Sequence, residues 1–198
     1  MCFCNLNLIL FYCRYYGSVN ITEGRCPGSK AAHFSSLGSY ATVPNINITN
    51  CDFTIAFWVK STDSEGPIIA VRSITGRLFY VAIKESSVFL SVFNTLEEAQ
   101  CKKNDWNHVA VTCAQFKIKL FVNGAEETLK ERWNEYFFLS PDRYQPYYVI
   151  GNNPDLMKIP LLSQPFVGSV MDLCVVRSAF SLAQISDLFK GNIPHILG

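Results

Sequence analysis

Beyond residue 30 the apolar positions recur mostly at every second residue, which predicts short β-strands rather than helices. The run Phe53-Thr54-Ile55-Ala56-Phe57-Trp58-Val59-Lys60 places Phe53, Ile55, Phe57 and Val59 on one face, as a core strand would. Trp58 falls on the other face with Thr54, Ala56 and Lys60, either as cover for a second layer or as an exposed aromatic. Three more runs, Pro67 to Val71, Leu78 to Ile83 and Ser87 to Phe93, predict a meander with turns at Gly76-Arg77 and Lys84-Glu85-Ser86.

Trp106 to Cys113 predicts a further strand, and Lys117 to Val122 alternates Lys outward with apolar residues inward. Asn123-Gly124 then supplies the two positive-φ positions of a type I′ turn, so a hairpin into Ala125 to Lys130 is expected. Tyr147 to Gly151 and Gly168 to Arg177 are the last strands, and the second is β-rich enough for a sheet interior. Ser181 to Gly191 is the one helical pattern. Ser181 and Gln184 form a capping box, Leu182, Ile185, Leu188 and Phe189 share a stripe, and Gly191 closes the end.

Composition narrows the class. The 198 residues fit one large all-β domain, and an apolar content of 49% supplies its core. With 17 basic and 16 acidic side chains the net charge is +1, so no field steers the protein to nucleic acid or to an anionic membrane. The short pairs Lys102-Lys103, Glu97-Glu98 and Glu126-Glu127 read as solvated turns. No internal repeat or linker divides the chain, and the expected organisation is a leader over 1–17, a sandwich over 26–192 and a tail over 193–198.

The leader carries an apolar stretch, Leu6 to Tyr12, of signal-peptide length, followed by Gly17-Ser18 where cleavage is possible, but no basic start. An incomplete segment is the alternative. Cys2, Cys4 and Cys13 belong to it, which leaves Cys26, Cys51, Cys101, Cys113 and Cys174. Without a CxxC spacing these suggest an oxidised domain rather than a zinc site, and their odd number leaves one thiol free, paired with another molecule or joined to the leader. The sequons at Asn20 and Asn47 point the same way, towards a secreted glycoprotein.

Four ordered segments carry a family resemblance: Ala32 to Pro44, Phe53 to Lys60, Trp106 to Thr112 with the Asn123-Gly124 turn, and Gly168 to Leu173 leading into Ala179-Phe180-Ser181. Residues 31 to about 191 resemble the laminin-G-like, pentraxin-like domains of the concanavalin A-like superfamily. The resemblance implies an all-β, antiparallel jelly-roll sandwich with one short C-terminal helix. It also implies a disulfide between the two central strands, for which Cys51 and Cys113 are the candidates.

Calcium-binding members place carboxylates where this chain has Ser35-Ser36 and Met171, so a calcium site would rest on Asp172 and Asp155 alone. A Ca²⁺ ion requires six to eight oxygens, and the expectation is no cofactor. The paired carboxylates of a glucanase are missing as a motif, and His33, His108 and His195 have no nucleophile signature beside them. His108 is read as a satisfied structural histidine.

The expected function is therefore a non-catalytic secreted matrix or adhesion module that binds an extracellular glycan or matrix protein, including the organic matrix of a mineralised tissue. A purely structural, disulfide-linked oligomer and the ectodomain of a larger receptor are the alternatives. Candidate contact loops are Ser61 to Gly66, Asn94 to Lys103 and Asn152 to Gln164, with Tyr136, Tyr144, Tyr147 and Tyr148 as an aromatic-rich stretch.

Overall fold

The computed structural model describes residues 13–44, 52–62, 65–72, 78–92, 95–115, 117–127, 147–152 and 164–192. Among these the chain forms two antiparallel seven-stranded sheets packed face to face and one helix. Sheet A runs β1 (Arg14–Tyr16), β4 (Tyr40–Pro44), β13 (Tyr147–Gly151), β6 (Gly66–Arg72), β7 (Leu78–Lys84), β8 (Ser87–Val92) and β9 (Thr95–Gln100). Sheet B runs β12 (Ala125–Glu127), β11 (Lys117–Val122), β10 (Asn107–Ala114), β5 (Phe53–Ser61), β14 (Gly168–Val176), β3 (Lys30–Phe34) and β2 (Val19–Glu23). This is the expected sandwich.

The core lies between the sheets and is built from the period-two positions. Phe53, Ile55, Phe57 and Val59 of β5 meet Ile69, Val71, Phe79, Val81 and Leu90 of sheet A, all nearly or fully buried. Each such side chain contributes roughly 1.5–3 kcal/mol by leaving water. The predicted meander is β6, β7 and β8, with Lys84 paired to Ser87 across the Glu85-Ser86 turn. The Asn123-Gly124 hairpin closes with Val122 opposite Ala125, and both turn residues have positive φ, 53° and 82°.

Helix α1 (Leu182–Lys190) packs on the outward face of sheet B. Its capping box forms as expected: the Ser181 amide donates to Gln184 Oε1 at 2.8 Å and the Gln184 amide to Ser181 Oγ at 3.4 Å. Gly191 ends it at φ 86°. Ile185 and Leu188 insert against Ala56, Ala110, Phe121 and Cys174, which is why β5 and β10 are buried on both faces.

Two stretches differ from expectation. The segment Arg14–Tyr16, read as the end of a leader, pairs with Tyr40–Thr42, and β2 pairs with β3, so the described strands begin ahead of residue 26. Thr95–Gln100, read as a contact loop with a solvated acidic pair, is edge strand β9, paired with β8. Its Glu97 points inward at 3% exposure while Leu96 points out at 46%. An inward acid on an edge strand discourages further pairing, and it inverts the polarity signal by which a strand is recognised.

Candidate functional site

Two places outside the main core gather chemistry-bearing side chains. The first lies on the outward face of sheet B, where β5, β10 and β14 send Trp58, His108 and Asp172 towards the end of α1. Trp58 is 5% exposed and covers a second layer, stacked on Phe189 with ring centroids 5.6 Å apart. Its other neighbour is the guanidinium of Arg25, 3.9 Å from the ring centroid. His108 tilts against the same indole at 5.2 Å.

A break in β14 positions the acid. The register passes from Met171 opposite Trp58 to Cys174 opposite Ala56, so Asp172 and Leu173 share Phe57 as partner in a β-bulge. Asp172 adopts φ 51° there, in the left-handed region, and its carboxyl is displaced towards Arg25 while Leu173 keeps its place in the core. Burial pushes the Asp172 carboxyl up to about 6, against the pull of Arg25. Burial, and then the charge of Arg25, push His108 down to about 4. Cys174, behind them, is a free thiol that burial raises to about 11.

These groups line a cavity of about 20 Å³ together with Leu188 and Gly191. That volume holds a water molecule and no sugar ring. Both faces of Trp58 are occupied, so this indole is not a stacking platform.

The second place is the outward face of sheet A. Registers put Tyr40, Val149, Ala70, Tyr80, Ala82 and Phe89 on that face. Ala70, Tyr80, Ala82 and Val149 are buried as a cluster of their own, with Tyr40, Leu78 and Phe89 half-buried around them. At the β1 edge Tyr16 stacks on Tyr40 with centroids 4.6 Å apart and planes 11° apart. Tyr16 remains 40% exposed and Tyr15 38%. Among the described residues the carboxylates at this face are Glu98 of β9 and Glu65, which pairs with the outward-facing Lys84 at 3.3 Å.

Of the residues singled out from sequence, Asp172 and His108 share the cavity on sheet B. Asp155, Cys51, Asn47, Tyr136 and Tyr144 lie outside the described residues. Asp172 neighbours a guanidinium, and no cluster of three or more metal-ligating side chains occurs among the described residues. Ser35 and Ser36 are used internally: Ser35 Oγ donates to Ser18 O, and Ser36 O accepts from Asn152 Nδ2. Asn20 is exposed on edge strand β2. Cys113 sits opposite Phe53, two positions from Cys51 in the chain, and Cys101 is a free thiol.

Asn152, at the start of one candidate loop, is fully buried and bridges Ser36 and Phe166. Tyr148 is a core residue. His108 is buried, but its Nδ1 has no hydrogen-bond partner among the described residues, which departs from the satisfied histidine expected. Sequence reasoning missed Arg25 and Tyr16. Arg25 sits in a turn and Tyr16 on a three-residue strand, and neither has a periodic neighbour to flag it.

A laminin-G-type family model, described as the concanavalin A-like lectin/glucanases superfamily, matches residues 34–186. No curated protein matches the sequence. Among solved structures, the botulinum neurotoxin serotype G binding domain aligns with 89% of this chain and 45% of its own, at 14% identity and a TM-score of 0.64. Domain 4 of an extracellular arabinanase from Geobacillus stearothermophilus, in complex with arabinotriose, aligns with 87% of this chain and 81% of its own, at 16% identity and 0.61. The Trypanosoma rangeli sialidase in complex with sialic acid aligns over 86% of this chain and 29% of its own, at 15% and 0.62. The chain thus spans less than half of the neurotoxin domain and under a third of the sialidase, and at these identities the likeness is one of fold.

Proposed function

The chain belongs to the concanavalin A-like lectin/glucanases superfamily, and from that premise we propose that it is a non-catalytic module that binds extracellular glycan on the outward face of sheet A. The observation that carries this reading is the Tyr16–Tyr40 stack, which leaves Tyr16 40% exposed at the margin of an aromatic-lined sheet. Flat, amphipathic rings hold the C–H face of a pyranose while their hydroxyls reach the sugar's own. Of the two carboxylates described at that face, Glu65 is held by Lys84 at 3.3 Å, which supports binding over hydrolysis.

Two of the aligned solved structures are described in complex with a carbohydrate, arabinotriose in one and sialic acid in the other, which supports the ligand class. Export is part of the proposal, supported by the exposed sequon asparagine Asn20. In this reading Arg14–Tyr16 are retained in the working protein, because they form the strand that presents Tyr16.

The test is a glycan array probed with the full chain, repeated in EDTA. The expected result is a set of related glycans bound by the wild type and bound more weakly by Tyr16→Ala and Tyr40→Ala. A blank array, or binding unchanged in both variants, overturns the assignment to this face.

A further inference from the structure

Among the described residues the buried side-chain polar atoms without a hydrogen-bond partner are Arg25 Nε and His108 Nδ1. Buried polar atoms are nearly always paired, because leaving one unpaired costs about 1–3 kcal/mol. Both residues line the same cavity of about 20 Å³. Asp172 lines it too, held there by the bulge in β14 and its left-handed φ of 51°. Three groups from three distant parts of the chain therefore converge without bonding one another.

We propose that this cavity is a binding site for one water molecule that joins Arg25 Nε, His108 Nδ1 and Asp172. The volume sets the size, since about 10–15 Å³ is the least that holds a water and an ordered one makes about three hydrogen bonds. The donor pattern sets the chemistry. Arg25 Nε only donates, ionised Asp172 only accepts, and Nδ1 of a neutral imidazole accepts or donates with the tautomer. Water accepts from Arg25 and donates to Asp172 and His108, pairing all three at once. A chloride ion would meet the carboxylate and a cation the guanidinium. The charges of Arg25 and Asp172 offset each other, which favours a neutral occupant.

Such a water ties the β2–β3 connection to β10 and to the bulge of β14, beside the last turn of α1. It is a fixed part of the fold on the side of the molecule away from the proposed glycan face, and its presence does not depend on that function.

A high-resolution crystal structure of the full chain tests the site directly, with a second crystal soaked in sodium bromide. The expected result is one peak within hydrogen-bond distance of Arg25 Nε and His108 Nδ1, carrying no anomalous signal after the soak. His108→Phe, which removes one partner, should lose the peak, and Asp172→Asn, which keeps an acceptor, should retain it. In solution a water-selective NOE to the His108 ring is expected in the wild type. An anomalous bromide peak, a direct Arg25–Asp172 ion pair filling the cavity, or a wild type with neither the peak nor the NOE overturns the proposal. The Asp172→Asn crystal keeps the test decisive should His108→Phe not fold.

Discussion

The two sheets present outward faces of opposite design, although each is the back of the same core. On sheet B the back face of β5 carries Thr54, Ala56 and Trp58, and all three are buried: α1 covers Ala56, and the aromatic ring of Phe189 covers Trp58. Thr54 is fully satisfied, donating to Ser178 O at 2.7 Å and accepting from the Phe180 amide at 2.9 Å. On sheet A the back face leads from a small apolar cluster out to an exposed tyrosine at the β1 edge. Aromatic residues thus serve as interior packing on one face and as accessible rings on the other. Residue type alone does not assign a role; the element docked over it does.

Substitutions on the covered face should cost stability most. Trp58→Ala removes the stack on Phe189, the Arg25 contact and most of a buried side chain, so a loss of about 3–5 kcal/mol is expected in urea unfolding. Glycan binding by the folded fraction should be unchanged. A loss below about 1 kcal/mol would mean that the second layer does not hold α1 to the sheet.

The buried acid gives the next largest effect, with opposite sign. Asp172 binds its proton more tightly in the folded state, about 6 against an ordinary 3.8, so its contribution to stability is fully present below 3.8 and is lost as pH rises through 6. His108 behaves inversely: its contribution is present above 6.5 and is lost as pH falls through about 4. Asp172→Asn should therefore stabilise the protein at pH 7 by about 1–2 kcal/mol, less than the full shift implies because the carboxyl keeps some solvent. Because the opposite contribution of His108 then stands alone, the stability of this variant should rise with pH between about 4 and 6.5, where the two groups largely offset each other in the wild type. A variant that is less stable than wild type at pH 7 would show that ionised Asp172 is well paired.

Much of this contrast was legible in the sequence, and the rest was lost for identifiable reasons. The period-two runs fixed β5 to β8 and β10, β11 and β14, because core packing and strand geometry share one signal. The hairpin and the helix were readable from Asn123-Gly124 and from Ser181, Gln184 and Gly191, residues whose local chemistry determines local geometry. β1 and β2 escaped because they are short edge strands with mostly exposed side chains, and β9 because Glu97 faces inward. The cavity on sheet B escaped because it joins residues 25, 58, 108 and 172, whose proximity depends on strand order and on a bulge. Trp58 was placed on the correct face, but only α1 decided between cover and exposed ring.

The helix that makes this decision depends on its ends. Ser181→Ala removes the side chain that caps the Gln184 amide and leaves that donor to water, at a cost of about 1 kcal/mol. The loss should appear as faster hydrogen exchange in α1 and at Trp58, with no change in sheet A. Equal acceleration in both sheets would mean that the covered face opens only with the whole domain.

The smallest stability change is expected at the residue that matters most for binding. Tyr16 lies at the open end of sheet A on a three-residue edge strand and contributes little to the core, so Tyr16→Ala should lower unfolding stability by less than about 1 kcal/mol. Its loss should weaken glycan binding by roughly tenfold, since an aromatic contact is worth about 0.5–1.5 kcal/mol beyond area. Tyr16→Phe separates the two contributions of the ring. It keeps the stack on Tyr40 and removes the hydroxyl, so retained affinity would assign recognition to the ring face and lost affinity to the hydroxyl. The result that undoes the distinction between the faces is a Tyr16→Ala protein as destabilised as Trp58→Ala, because then both tyrosine and tryptophan would be packing residues and sheet A would have no accessible ring to offer.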